Sequence, residues 1–329
     1  MKRILLSLLA LFFLILLLLS PGTALEGARK GLLLWAYTVL PTLLPFMIGT
    51  GVIAAMGAVG LVVKPFSPLL SGVFHFSQPA GFVFLTGLLC GYPMGAKMDR
   101  DLLERGQISW EEACYLLSIC NHPSPMFLTG YTVMEGQKLL PPSIKFPLFP
   151  FLAALYLPVF PISYLARHYY DKKSKKNRKI RPSVWSGVSH TAPISSFSLD
   201  EHLMSCLETM EKIGLYIMLF SILSLYLFKL PLPGPVLKPA LMGLLEITTG
   251  IQTICEHTSG LTGLLLVTAS VAFGGISGIF QTRSVLTMHS GRKNAGLSIR
   301  QYLLWKIAHS ALAAAFMAVL TGILGFHFF

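Results

Sequence analysis

The sequence predicts an all-α, polytopic membrane fold made of two related halves with broken or re-entrant helices, and three observations carry that expectation. The 329-residue chain is 53% hydrophobic and only 12% charged, with a mean hydropathy of +0.66, which is too apolar for a soluble chain of this length. Several runs approach or exceed the roughly 20 apolar residues that a helix needs to cross the hydrocarbon core, and they lack the period-two alternation of an outer-membrane barrel. Two of the runs are interrupted by glycine at matching places, "LLCGYPMGAK" (88–97) and "VAFGGISG" (271–278).

Taken in order, the run from Ile4 to Leu19 follows Lys2 and Arg3 and precedes "SPGTALEG". It resembles a secretory signal but is slightly long for one, so residues 1–30 read as an uncleaved, signal-anchor-like first helix with its basic end inside. Apolar residues 31–63 are too many for one straight helix. Pro41 and Pro45 in "VLPTLLPFMIGTG" predict a break, which survives in a bilayer only where protein or a cavity satisfies the freed carbonyls. The run 79–96 ends in the glycine interruption, and "KMDRDLLERGQ" reads as a charged turn after it. Ser109–Glu112, "SWEE", is a capping-box pattern that opens a helix within 113–134. Pro123 and Pro125 break this helix at "NHPSP". Two broken segments around a short charged turn predict a hairpin dipping into the membrane. The run 144–166 completes a first membrane half, 31–166.

Residues 167–200 are basic, then Ser-rich, and form the seam. "RHYYDKKSKKNRKIR" (167–181) holds much of the +12 net charge and predicts a cytoplasmic loop beside a span. It carries no reading motif, so no nucleic-acid partner is expected. "DEHLMSCLETMEKIG" predicts an amphipathic helix leading into apolar runs at 213–229, 236–254, 261–282 and 301–324, the second half, 201–329. The five cysteines are scattered without a CxxC pair, which predicts packed thiols rather than a disulfide framework or zinc site. His, Glu and Asp show no metal-ligand spacing, and Gly91–Lys97 has the wrong spacing for a phosphate-binding loop. No metal, cofactor or nucleotide-driven motor is expected.

The halves align when shifted by 183 residues: Gly91 meets Gly274, Gly95 meets Gly278 and Arg100 meets Arg283, while Gly87 meets Ser270. Glycine-interrupted segments in corresponding halves are the sequence pointer to a repeat-built, inverted-topology transporter site. Small residues four apart also serve plain helix packing. That alternative explains neither Tyr92-Pro93 after Gly91 nor Lys97 beyond Gly95. The cavity candidates are therefore Gly91, Tyr92, Pro93, Gly95 and Lys97 from the first interruption and Gly274, Gly275, Ser277 and Gln281 from the second. Asn121 at the "NHPSP" break joins them, as do Glu246 and Thr248 in "LMGLLEITTGIQTI", because an acid inside a span marks a pathway or a partner. Glu246 also reads as an interfacial residue near a helix end, with Lys238 about two turns upstream.

"CGYPMGAK", the acidic-basic stretch after it, a capped helix and "NHPSPMFLTG" together resemble the nucleoside-recognition, or Gate-domain, membrane proteins, and within them the sporulation integral membrane proteins of the YlbJ type. "LPTLLPF" (40–46) is similar to that group's early motif. "LLEITTGIQ" (244–252) and "FGGISGIFQ" (273–281) are similar to its C-terminal counterparts, although the GISG wording departs from the pattern. The resemblance implies two Gate-like repeats, a bacterial inner-membrane location and a role linked to sporulation, without establishing nucleoside binding.

The leading expectation is a non-enzymatic transporter or permease-like component with a central polar cavity lined by the two interrupted helices. Its partners would be the lipid bilayer, a small-molecule or ion substrate, and a second copy or other sporulation membrane proteins. An intramembrane serine protease is the alternative, since "GISG" (275–278) matches a GxSG nucleophile pattern and "AHSAL" (308–312) partly matches a histidine helix, giving a Ser277–His309 dyad. The two residues lie close in sequence for such an enzyme, and Leu312 stands where close packing wants glycine. A non-transporting membrane scaffold, docking a protein through the basic loop, is a third reading.

Overall fold

The computed structural model describes residues 2–178, 198–287 and 296–323, and its regular elements are all helical. Among the described residues, five helices are long and apolar enough to cross a membrane: Pro21–Ala55, Leu148–Lys172, Leu199–Lys229, Gly260–Thr287 and Ile299–Ile323. The expected first helix forms as α1 (Lys2–Leu19) and meets α2 (Pro21–Leu34) at Ser20.

The expected break at Pro41 and Pro45 does not occur. Helix α2 runs through a π-helical turn, Trp35–Val39, directly into α3 (Leu40–Ala55). Pro41 and Pro45 both lie inside this continuous helix, where each removes one backbone donor. The backbone widens just before Pro41, with the Leu40 N–H reaching the Trp35 carbonyl, so the helix absorbs that proline by a π turn, while Pro45 stays within α3. The Thr42 hydroxyl adds bonds to the Thr38 and Val39 carbonyls, at 2.6 and 3.0 Å.

Short helices α4 (Val59–Val63) and α5 (Ser67–Gly72) lead to α6 (Gln78–Cys90), α7 (Met94–Glu104) and α8 (Trp110–Ile119). The stretch read as a charged turn is largely helix α7, and the turn itself comes after Glu104. At "SWEE" the Ser109 hydroxyl accepts the Glu112 N–H at 3.1 Å, which is half of a capping box. The Glu112 carboxylate goes elsewhere: it accepts the N–H of Ser77, the N-cap of α6, at 2.8 Å. It thereby ties α8 to the start of α6. After the 120–124 break a second π-helical turn, Phe127–Thr132, precedes α9 (Val133–Gly136), α10 (Leu148–Tyr156) and α11 (Val159–Arg178). The basic run is thus helical as far as Arg178; residues 179–197 lie outside the described residues.

The expected amphipathic lead-in is the first part of one continuous 31-residue helix, α12 (Leu199–Lys229), capped by Ser198. Helix α12 lies along α2. A Cβ at Gly27 or Gly31 would fall 2.6 Å from the Ile222 or Met218 Cα, the close approach that a small-xxx-small pattern permits. Helices α13 (Leu237–Leu245), α14 (Ile247–His257), α15 (Gly260–Phe273), α16 (Gly275–Thr287) and α17 (Ile299–Ile323) complete the fold.

Helix α17 reverses the polarity of a soluble helix. Leu304, Ile307, Val319 and Ile323 are exposed, while Lys306, His309 and Thr321 are buried. That inversion fits a hydrocarbon surround, where the polar face must turn to the protein interior. The five cysteines are free and buried, as expected of packed thiols.

Candidate functional site between the broken helices

Four interruptions meet inside the bundle. Helix α6 stops at Gly91, whose φ of 87° and ψ of −179° place it in a region open essentially to glycine. Helix α15 stops at Gly274, left-handed at φ 82°. The two stops are equivalent under the 183-residue shift, and each N–H closes on the carbonyl four residues back, Gly87 at 3.1 Å and Ser270 at 2.8 Å. The third interruption, Asn121–Ser124, separates α8 from the π turn, and the fourth is Glu246, which alone separates α13 from α14.

The interruptions cross in pairs, and the small residues allow it. A Cβ at Gly87 or Gly95 would fall 1.8 or 2.3 Å from the Cys120 carbonyl oxygen, and one at Gly91 2.8 Å from the Ser124 nitrogen. Gly95 and Gly91 therefore seat the first break on the "CNHPS" backbone. In the second half, a Cβ at Gly275 would lie 3.2 Å from the Ile247 nitrogen, so Gly275 seats the second break on the Glu246 link. Tyr92 joins the two pairs. Its ring lies over Gly274 and Gly278, where added Cβ atoms would come within 3.5 and 3.4 Å of ring carbons. The Tyr92–Pro93 peptide is cis.

Asn121 is the hub behind this crossing. Its Oδ1 accepts the Ala96 N–H at 3.0 Å, and its Nδ2 donates to the Thr282 and Tyr302 hydroxyls at 3.1 and 3.3 Å. Its own carbonyl, freed near the proline break, accepts from the buried Lys306 Nζ at 3.1 Å. On the other side of the crossing Tyr131, from the second π turn, donates to the Thr248 carbonyl at 2.8 Å. Arg100 donates to the Val285 carbonyl.

Glu246 is buried and caps α14. Its carboxylate accepts the N–H of Thr248 and Thr249 at 3.1 and 2.8 Å, and both hydroxyls at 2.5 and 3.0 Å. A negative charge at a helix N-terminus is favoured by the exposed amides and the helix dipole. Lys238 is not its counter-ion; it stands over the Phe228 ring, 5.2 Å from the centroid.

A cavity of about 260 Å³ opens where the two crossings face α2, α3 and the turn between them. Of the sequence candidates Gly91, Tyr92, Glu246, Thr248 and Gln281 line it. The Tyr92 hydroxyl makes no hydrogen bond among the described residues. Both π turns border the space, through Thr38 and Val39 and through Phe127, Gly130 and Tyr131. Such turns recur at functional sites because they widen the backbone. Pro93, Gly95, Gly274 and Gly275 shape the breaks without lining the cavity, and Lys97 pairs with Asp101 at 3.0 Å on α7. Ser277 accepts from Gln281 Nε2 at 3.1 Å, whereas His309 Nε2 meets the Leu155 carbonyl at 2.8 Å and its ring packs edge-on to His122. The two members of the expected dyad thus have different partners.

Sequence reasoning passed over Lys306, Asp99, Trp35 and Tyr131. Lys306 carried a signal, a lone cation in "LLWKIAHSALAAAF". Asp99 was hidden among the charges of what read as a turn. Trp35, whose Nε1 donates to the Met210 carbonyl at 2.9 Å, and Tyr131 carried none, since either is ordinary in an apolar run.

These features define a multi-pass, all-helical integral membrane protein with a cavity at the meeting of interrupted helices. The chain is a distant homologue of the sporulation integral membrane protein YlbJ of Bacillus subtilis (strain 168), 26% identical over 95% of this chain and 82% of that protein. No family model matches the chain, and no solved structure matches it.

Proposed function

We propose that this chain is a sporulation-linked protein of the bacterial inner membrane and works there as a transporter or permease-like component, not as an enzyme. The observation that carries this reading is the cavity bordered by the first interruption, by the Glu246 link and by both π turns. At about 260 Å³ it lies just under the usual range of ligand pockets, which suits a small solute. The interrupted helices act as two related Gate-like halves, and residues 167–200 face the cytoplasm, supported by their Lys and Arg excess. The sporulation link rests on the distant relative. The non-enzymatic reading is supported by the separate partners of Ser277 and His309.

The test is functional. Deleting the gene in its host should lower the yield of heat-resistant spores, and the wild-type gene should restore it. Tyr92→Ala should insert and express near normally yet fail to restore spore yield, because it removes the ring that joins the crossings and the free hydroxyl at the cavity. The purified protein should also gain thermal stability from one class in a panel of nucleosides, small acids and metal ions, and Tyr92→Ala should lose that gain. Full complementation by Tyr92→Ala, with no stabilisation of wild type by any class, would remove the basis for the cavity reading.

A further inference from the structure

Asp99 is a buried carboxyl group without a partner among the described residues. Its relative exposure is 0%, and neither oxygen has a hydrogen-bond partner there. Buried polar groups are nearly always paired, and an exception calls for a physical account. The neighbouring cations do not supply one. On α7 itself Lys97 pairs with Asp101 at 3.0 Å, and Arg100 pairs with Asp101 and with Glu104, the latter at 3.7 Å. Two cations thus answer two carboxylates. The helix is charge-balanced only with Asp99 neutral.

Among the described residues no neighbouring element gives Asp99 a cation partner; the buried Lys306 of α17 donates to the Asn121 carbonyl at 3.1 Å instead. Helix α7 packs against α6, α8 and α16. On α6 the only titratable side chain is Cys90, and on α16 it is Arg283, which is exposed. On α8 the titratable groups are Glu111, Glu112, Cys114 and Tyr115, with Cys120 at its end; Glu112 and Cys120 act on Asp99 electrostatically. Burial first, then the Glu112 carboxylate, push its proton affinity up. Asp99 sits one helical turn beyond Gly95, the residue seated on the Cys120 carbonyl. A charge forming here would form against the crossing of the first and third interruptions.

We propose that Asp99 is a proton-binding site: it carries a proton while α7 is seated on the 120–124 break, and releasing that proton is coupled to opening this crossing. The reaction is COOH giving COO⁻ and H⁺, with the ionised group drawn toward water that only the opened crossing admits. Resting on the transport reading above, this makes the proton the coupling ion.

The sign of the pH dependence follows. A carboxyl with raised affinity in the folded state stabilises it fully at low pH, and that stability is lost as pH rises through the folded-state value. Purified wild-type protein should therefore show the infrared carbonyl band of a protonated carboxylic acid at neutral pH, and its melting temperature should fall as pH rises. Asp99→Asn should remove the band and flatten the fall, and Asp99→Leu should do the same if the Asn variant folds poorly. With Cys120 as the sole cysteine, labelling by a small maleimide should rise with pH more steeply in wild type than with Asp99→Asn, where only thiol ionisation remains. A band that survives in both variants, or melting and labelling profiles identical to wild type, overturns the proposal. If these signals hold but vesicles containing the protein take up no member of the solute panel under a proton gradient, the proton site stands and the transport reading fails.

Discussion

Replacing Asn121 with Ala tests whether one side chain holds the two halves together. The substitution removes three hydrogen bonds, one from the Ala96 amide and two to the Thr282 and Tyr302 hydroxyls. At about 0.6 kcal/mol each inside a membrane protein, they amount to roughly 2 kcal/mol. The loss is unevenly spread. The Thr282 and Tyr302 hydroxyls already share a hydrogen bond at 3.5 Å and keep it, whereas the Ala96 amide is left buried without an acceptor, which alone costs about 1–3 kcal/mol. The expected total is about 2–4 kcal/mol, with the Ala96 end dominant. Asn121→Asp, measured at low pH where its carboxyl is protonated, keeps an acceptor for that amide and a donor for one hydroxyl, so it should then be the milder change. Unfolding of the purified protein by SDS in mixed micelles measures both, and a double-mutant cycle with Tyr302→Phe isolates the inter-half bond. Asn121→Ala within about 0.5 kcal/mol of wild type, the range of an ordinary surface substitution, would refute the hub.

Gly95→Ala should destabilise strongly in the same assay, because its Cβ meets the Cys120 carbonyl oxygen at 2.3 Å; Gly49→Ala, with nothing within 4 Å, should gain up to about 1 kcal/mol from helix propensity. Glu246→Ala should cost about 1–2 kcal/mol as a lost helix cap, and Glu246→Gln less, since one oxygen still accepts from the Thr248 or Thr249 amide. Ser277→Ala should lose only the Gln281 bond, about 0.6 kcal/mol, and leave complementation intact; its effect should not resemble that of His309→Ala, which loses the Leu155 contact and the His122 packing. A fluorophosphonate probe should not label the purified wild type, and labelling that requires both residues would instead support the protease.

Glycine and proline made the interruptions at Gly91, "NHPSP" and Gly274 legible in the sequence, because backbone that leaves the ordinary helical region restricts residue type. The same reasoning misread Pro41 and Pro45. A proline states that one amide is missing, not whether the helix answers by breaking or by widening; here a π turn precedes Pro41, and Pro45 stays within α3. Glu246 was legible as an unusual acid but not as a cap, because the alternative partner Lys238 looked equally placed along the chain. "SWEE" showed the start of a helix but not where the Glu112 carboxylate goes, since Ser77 is 35 residues away. Long-range partnerships such as Lys306 with Asn121, or Tyr131 with Thr248, leave no local pattern.

Those partnerships bear on the role proposed for the interruptions. An interrupted helix inside a bilayer leaves amides and carbonyls that lipid cannot satisfy, and the partners come from the other interruptions, from the second π turn, from α17 and, at Glu246, from the break itself. Lys306 takes the Asn121 carbonyl, Asn121 takes the Ala96 amide, Tyr131 takes the Thr248 carbonyl, and Glu246 takes two amides of its own helix start. A purely structural kink needs no such set, since one serine or threonine bonding back along its own helix serves. Away from the cavity the crossing is closed by these bonds and by glycines pressed on backbone. At the cavity the Tyr92 hydroxyl has no hydrogen-bond partner among the described residues. The crossing is therefore bonded on one face and open on the other, which supports the proposed solute site at the open face; under that proposal the closed face sets what a movement of either break must disrupt.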